Sequence, residues 1–430
     1  MLRRLASTFS TPAATPERST SPETPAVDPN THAGRTAVEH DLAHALRAHG
    51  VPTTDEDCFA CNATCQDDEP QYDGYPRGFD VDWSSDLLGS ANPAPRNLVV
   101  STSRSDWAHD HTTDTSTLSY HLQTILNAER GFPPPGTPID PPPAKDKSAK
   151  EAPKPAPEPV KDNKPPGQIN LVIGKNGLPQ GLSETPRAEL EPSSIDAKQP
   201  PTSLFSSSLI SQSPDEHKES VLVFPEWKVI CEVPNSSSGA KDVLAGLNGQ
   251  ANELKSWTLP YRAVVLLCSH KKRDKRCHIA APLLEKALVQ ELESHHVSID
   301  TRGDSLNPHH LLDMHAALPR EGEAGEREAR LRAIEGLDDE TGSGEVGIFK
   351  ISHLGGHRYS GVMIILFPSG ATLYYGRVSP KDIPQVVKHT ILKGQVIAGL
   401  LRGGNNVVRD ELKGDSAGAC NKKGKSLITW

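Results

Sequence analysis

Apolar positions along the chain fall into short runs separated by long polar tracts, and the runs carry two different periods. Residues 97–102, 221–225, 262–267, 346–352, 361–367 and 371–378 are continuous or alternating apolar stretches of strand length. Residues 168–174 read as a further strand, and 227–231 continues the sheet after Pro225. Helical spacing predicts a helix over 37–49, where Val38, Leu42 and Leu46 recur every four residues, and another around 118–128. A third runs over 279–292, with Leu283, Leu284, Ala287, Leu288 and Leu292 on one face. Pro368-Ser-Gly370 closes a hairpin between 361–367 and 371–378. Ser379 as N-cap and Pro380 at the first helical position start a last helix over 381–392. From residue 262 onward the order is β-α-β-β-α, which matches a thioredoxin-like core.

The polar tracts set the expected domain organisation. Residues 1–36 form a Pro/Thr-rich, disordered N-terminus, and 37–131 the first part of an N-terminal α/β half. The tract 132–167 is a Pro/Lys/Glu linker that cannot build a core. Residues 168–235 complete the N-terminal half, with a polar insertion at 175–219. A C-terminal domain spans 260–404, interrupted by a Glu/Gly/Arg-rich insertion at 319–344, and 405–430 is a flexible tail. Composition agrees. In 430 residues there are 38 prolines, only 35% hydrophobic residues and 5% aromatics, so folded cores alternate with disordered segments.

Charge and cysteine usage narrow the function classes. A net charge of −9 disfavours general nucleic-acid binding, which needs a basic footprint. The longest apolar run, at 362–367, is far short of the roughly 20 residues that span a bilayer. Seven cysteines and no apolar signal-peptide core indicate an intracellular, reducing compartment with thiols kept for metal or redox work. The first 20 residues carry Arg3 and Arg4, many Ser and Thr, and no acid before Glu17. That pattern fits a mitochondrial transit peptide as well as an ordinary polar terminus.

Chemistry concentrates in two short stretches. Cys268-Ser-His-Lys-Lys-Arg-Asp-Lys-Arg-Cys277 follows one apolar strand, and His353-Leu-Gly-Gly-His357 follows another. Two soft sulfur donors and two imidazoles form a four-ligand set suited to zinc or to an iron–sulfur cluster. Two other groupings compete. Cys58-Phe-Ala-Cys61-Asn-Ala-Thr-Cys65 has dithiol spacing, yet it follows no strand and lies among carboxylates that disfavour a thiolate. Asp106, His109, Asp110 and His111 suggest a metal, but they read better as a capped strand-to-helix connection anchored by Trp107.

These residues resemble the fungal sucrase/ferredoxin-like family, the thioredoxin-like ferredoxins. The resemblance is carried by the two stretches above, by Ala281-Pro282 and by Tyr375-Gly-Arg-Val378. Val99-Val-Ser-Thr-Ser103, Asp106-Trp107 and His109-Asp110 carry it upstream, and it covers 97–130, 220–235 and 260–404. It implies two thioredoxin-like halves and a [2Fe-2S] cluster held by Cys268, Cys277, His353 and His357. The family's sucrase label finds no carboxylate pair here that would support glycosidase chemistry.

The residues themselves lean the same way. Structural zinc sites place paired cysteines two to four residues apart, whereas eight residues intervene here. Gly355 and Gly356 break any helix between the histidines and suit a tight loop against a bulky group. With neutral histidines the oxidised cluster would carry no net charge, so it would reduce more easily than an all-cysteine cluster. The basic loop of Lys271, Lys272, Arg273, Lys275 and Arg276 would favour the reduced form further. Arg273 and Asp274 are candidates to pair and shape this loop, and Arg377 to stabilise the site. His270, Cys231, His278, His295 and His296 are surplus groups, around the site or on the surface.

The expected function is one-electron transfer to an unidentified redox partner, or redox homeostasis, rather than turnover of a substrate. The alternatives are a zinc-stabilised interaction module and a thiol oxidoreductase using Cys58 and Cys61. The last three residues, Ile428-Thr429-Trp430, resemble a tripeptide read by the cytosolic iron–sulfur targeting machinery, which tips the compartment from mitochondrion to cytoplasm.

Overall fold

Alternation on the strands produces the architecture. In the computed structural model, residues 32–54, 74–137, 171–184, 202–250, 254–309, 311, 344–409 and 427–428 are described. The expected linker, the 319–344 insertion up to 343, the triplet Cys58, Cys61 and Cys65, and Thr429 and Trp430 lie outside them or nearly so: the linker overlaps only at 132–137. The elements are α1 (His32–Ala48), β1 (Arg96–Ser101), α2 (Leu118–Glu129), β2 (Leu182–Ser183), β3 (Thr202–Ser207), β4 (Lys218–Phe224), β5 (Lys228–Pro234), α3 (Ser237–Leu247) and β6 (Ser256–Thr258). They continue with β7 (Ala263–Cys268), α4 (Lys275–Ser294), β8 (Ser298–Asp300), β9 (Glu345–Ile351), β10 (Met363–Leu366), β11 (Thr372–Tyr375) and β12 (Leu401–Asn405). Before β12, the helical turn Ile383–Gln385 runs into a π-helical segment, Val386–Ile391, together α5.

The result is a mixed α/β fold on one mixed sheet, ordered β2-β12-β11-β10-β7-β9-β3-β1-β4-β5-β6, with β8 on β9. The same unit occurs twice. In the first, β1 pairs parallel to β3 and antiparallel to β4, and β4 pairs antiparallel to β5. In the second, β7 pairs parallel to β9 and antiparallel to β10, and β10 pairs antiparallel to β11. The units join edge to edge through β3 and β9, antiparallel at Ser207 and Ile351.

Both faces of the central strands are buried. On β7, Ala263, Val265 and Leu267 face the α4 and α5 layer, while Val264 and Leu266 face the opposite core. That opposite core also takes Val99 of β1, Leu222 and Phe224 of β4 and Tyr374 of β11, so the sheet curls back on itself. The Tyr374 hydroxyl crosses the core to Asn97 Oδ1 at 3.3 Å. Leu98 and Val100 face the third core, under α2 and α3.

Several expectations are corrected. Residues 171–174 form no strand, only a bridge between Ile173 and Pro179. The supposed insertion at 175–219 contains β3, a central strand, and β2 at the sheet edge. β3 escapes hydropathy because its buried residues include Ser206 and Ser207. Both are satisfied by hydrogen bonds, Ser207 Oγ donating to the Val100 carbonyl and Ser206 Oγ meeting Ser119 Oγ at 2.9 Å. Sequence order assigned 37–54, 74–91 and 171–184 to the N-terminal half, yet their contacts are with the second unit. Leu46, Val51 and Leu182 enter its core, and Thr53 bridges Val396. α4 begins at Lys275, before the expected 279, because the Asp274 side chain caps it by accepting from the Arg276 N–H at 2.8 Å. Ser379 starts the last helical segment as expected, in a capping box with Asp382, but the first turn is 3-10 and the rest mostly π.

Candidate metal centre

β7 ends on Cys268, and β9 ends two residues before His353. These parallel neighbours deliver a thiol and an imidazole to the same edge of the sheet. Cys277 arrives from the first turn of α4 rather than from a loop, and His357 opens a 3-10 turn after Gly355 and Gly356. Both glycines are left-handed, with φ of 77° and 72°. That backbone turns the chain back within four residues, and the rings of His353 and His357 stack at 4.2 Å between centroids.

The four side chains are neighbours. Cys268 and Cys277 pack in one buried cluster with Val362, and His353 lies close enough to Cys268 to act on its charge. The thiols are 3% and 2% exposed, whereas both imidazoles are half-buried. Cys268 titrates well below an ordinary thiol, chiefly because the Cys277 S–H donates to it, helped by His353 and the Leu354 N–H against the cost of burial. Cys277 moves up, because it holds the shared proton and is buried. Burial first, then the neighbouring His353, holds His357 below the usual imidazole range. His357 Nδ1 is buried without a hydrogen-bond partner.

Among the described residues, no group of three or more His, Cys, Asp or Glu side chains stands in a metal-holding arrangement. In this structure the thiols close on each other and the rings close on each other. The donor chemistry nevertheless fits a metal centre: a thiol whose pKa is lowered, a second thiol beside it, two stacked imidazoles, and a buried ring nitrogen of His357 without a hydrogen-bond partner.

The surroundings revise the secondary assignments. Arg273 does not pair with Asp274. It reaches His109 at 3.2 Å, while Asp274 pairs with Arg276 at 2.9 Å and Asp80 takes the other side of Arg276 at 3.1 Å. Arg377 does not touch the centre either. It donates to the Asp82 and Ser85 carbonyls and lies over Trp83 and Tyr359, which fixes the 82–86 segment against the 357–360 turn. His270 is fully buried, its Nε2 2.7 Å from the Ala108 carbonyl, so it locks the loop after β1 to the loop after β7. Cys231 lies in the shared core, its thiol pushed up to about 12 by burial. His295 pairs with Glu291 on the far end of α4 at 3.3 Å.

The 106–111 cluster is the structural connection that its sequence suggested. Trp107 is buried with its N–H donated to Thr102 Oγ1, Asp106 accepts from the Lys271 N–H, and Asp110 caps Thr112. His111 has a further aspect that sequence did not reveal. Burial first, then the nearby His270 and His353, holds it down to about 4 against the pull of Asp110, so a further imidazole, kept neutral, stands near the candidate centre. Its Nδ1 lies 3.0 Å from Ser206 Oγ. Arg402, from β12, was also missed. Nothing in its strand hints that its guanidinium reaches Gly355, with a 3.2 Å bond to that carbonyl.

The two glycines give a direct stability comparison. A methyl group on Gly355 meets nothing within 4 Å, but on Gly356 it would fall 2.1 Å from Arg402 Nη2. That guanidinium is hydrogen-bonded on three sides and cannot swing away freely. Gly355→Ala should cost about 1 kcal/mol for its left-handed backbone, and Gly356→Ala about 2–4 kcal/mol with the overpacking added. Urea unfolding of the metal-free variants measures both, and equal costs would show that the guanidinium does not pack there.

The sucrase/ferredoxin-like family profile matches residues 87–403, which include both units and all four candidate ligands. The chain belongs to the sucrase/ferredoxin-like family. Similar proteins include altered inheritance of mitochondria protein 32 of Clavispora lusitaniae, 29% identical over 33% of this chain and 35% of that protein. The Meyerozyma guilliermondii protein of the same name is 26% identical over 33% and 34%. Actin patches distal protein 1 of Saccharomyces cerevisiae is 29% identical over 30% of each. The match thus spans about a third of the length of these curated relatives. No solved structure gives a significant match.

Proposed function

We propose that the chain is a thioredoxin-like ferredoxin in which Cys268, Cys277, His353 and His357 hold a [2Fe-2S] cluster. The observation that carries this reading is the convergence of the packed pair Cys268 and Cys277 and the stacked pair His353 and His357 at one sheet edge, assembled from two strand ends, a helix start and a glycine turn. The thioredoxin-like architecture is supported by the strand order β9-β7-β10-β11, with β10 antiparallel to its neighbours, and by its repetition in β3-β1-β4-β5. Such a cluster supplies one-electron redox chemistry. The residues favour the thiolate form of Cys268, disfavour the charged form of His357, and hold the thiols away from water. His357 Nδ1 is buried without a hydrogen-bond partner, so that ring has one nitrogen to bind and the other to carry a proton.

The packed thiol pair would also suit a disulfide, but thiols 3% and 2% exposed are poorly reached by an exchanging partner. Cys58 and Cys61, the other dithiol, lie outside the described residues. We place the protein inside the cell, in cytoplasm or mitochondrion. Among the described residues no helix is long and apolar enough to cross a membrane. A partner reading the C-terminal tripeptide would meet Ile428 already packed in the second unit's core, 6% exposed.

Absorption and EPR spectra of anaerobically purified chain, with iron, sulfide and zinc counts, test the proposal. Two irons and two sulfides per chain, with an EPR signal on one-electron reduction, are expected. A colourless protein holding one zinc overturns it.

A further inference from the structure

Arg402 is a fully buried cation with no anionic partner among the described residues. It is 1% exposed, and its guanidinium donates only to neutral oxygens: Nε to Ser90 Oγ at 3.1 Å, Nη2 to the Ser90 carbonyl at 3.1 Å, and Nη1 to the Gly355 carbonyl at 3.2 Å. The Tyr359 ring lies 5.5 Å from its Cζ. By contrast, buried Arg96 has a carboxylate, pairing with Glu226 at 2.5 Å. A buried charge without a counter-charge costs several kcal/mol, so a fold that keeps one gains something from it. Of the groups that favour its charged form, Tyr359 comes first and Cys268, one of the candidate ligands, comes second.

Geometry shows what else the side chain does. The guanidinium is pressed against the Gly-Gly step between the two histidines, so closely that a Cβ on Gly356 would overlap Nη2 and Cζ. We infer that Arg402 is the positioning residue and fixed counter-charge of the metal centre. It clamps the turn that sets His353 against His357, and it offsets the negative charge that the centre gains on reduction. The counter-charge role rests on the cluster reading above; the clamp does not.

The test uses the full chain with Arg402→Gln, Arg402→Lys and Ser90→Ala. Two quantities are measured: the one-electron potential of the iron-loaded chain, and hydrogen exchange across 353–360 in the metal-free chain. Arg402→Gln should shift the redox equilibrium at least tenfold towards the oxidised form, about 59 mV for one electron. It should also speed exchange at Gly355 and Gly356. Arg402→Lys keeps the charge and loses the three-way fork, so exchange should rise while the potential stays within about threefold of wild type. Ser90→Ala leaves the charge and the Gly355 bond in place and should move the potential no further than the lysine variant. An unchanged potential in Arg402→Gln overturns the counter-charge, as does an equal shift in Arg402→Lys. Unchanged exchange in both arginine variants overturns the clamp. Should Arg402→Gln fail to fold, the lysine variant carries the test, because a tenfold shift there overturns the assignment. A wild-type chain that takes up no iron overturns the cluster reading and the counter-charge with it, while the exchange data still decide the clamp.

Discussion

Replacing Cys268 with serine should leave the chain colourless and free of iron, the largest effect expected of any single substitution. Cys268 sits at the end of β7, packed against Cys277, where the Cys277 thiol, the His353 ring and the Leu354 N–H favour its charged form. These hold its pKa well below that of an ordinary thiol, and metal affinity follows the deprotonated ligand. A serine hydroxyl in the same place cannot be deprotonated by those groups, and it is a hard ligand where a soft one is needed. The control is Cys231→Ser. That thiol lies in the shared core, is held protonated by burial and touches none of the four candidate ligands. It should keep full iron and lose only stability, on the order of 1–3 kcal/mol for a hydroxyl placed among apolar neighbours. Iron and sulfide counts, with circular dichroism to confirm folding, decide the comparison. Full iron in Cys268→Ser would remove this residue from the centre.

Much of the fold was legible because the strands that matter are buried on both faces. The runs 262–267 and 361–367 could only be strands, and the structure places them as β7 and β10, side by side. The strand that was missed, β3, fails this test because it is buried through satisfied serines rather than apolar side chains, and hydropathy does not see hydrogen bonds. Unit membership failed for another reason. Residues 37–54 precede β1 in sequence, yet Leu46 and Val51 complete the second unit's core, and no local pattern announces a contact hundreds of residues away.

The placement of the candidate ligands was legible in part for a similar reason. Cys268 and His353 follow recognisable strands, so their placement on one sheet edge followed from parallel pairing. Gly355 and Gly356 announced a turn, and both adopt the left-handed backbone that only glycine takes at little cost. The roles of Arg273 and Arg377 were misread because a cation near a motif says nothing of which carbonyl or carboxylate is closest in space. Arg402 lay beyond reach for the same reason: its strand, Leu-Arg-Gly-Gly-Asn, is polar by composition yet entirely buried.

Replacing His357 with cysteine tests the electronic consequence of the mixed ligand set. If the cluster survives, its potential should fall by hundreds of millivolts, following the difference between histidine-ligated Rieske centres, at about −150 to +300 mV, and plant-type ferredoxins near −400 mV. A thiolate adds a negative charge where the imidazole was neutral, and that charge opposes the electron. The pH response should change with it. An imidazole ligand keeps one nitrogen that can gain a proton when the centre gains an electron, which ties the potential to pH by up to about 59 mV per unit for one proton and one electron. The sign follows from the structure. Burial and the neighbouring His353 already hold His357 below the usual imidazole range, so the neutral form is favoured until negative charge appears beside it. The potential should therefore rise as pH falls in the wild-type chain. In His357→Cys the slope should shrink to the share carried by His353, and His353→Cys should show the converse. Potentials recorded from pH 6 to 9 by spectroelectrochemistry measure both. A His357→Cys chain with the wild-type potential and slope would mean that the ring stacked on His353 is a neighbour of the centre and not a ligand.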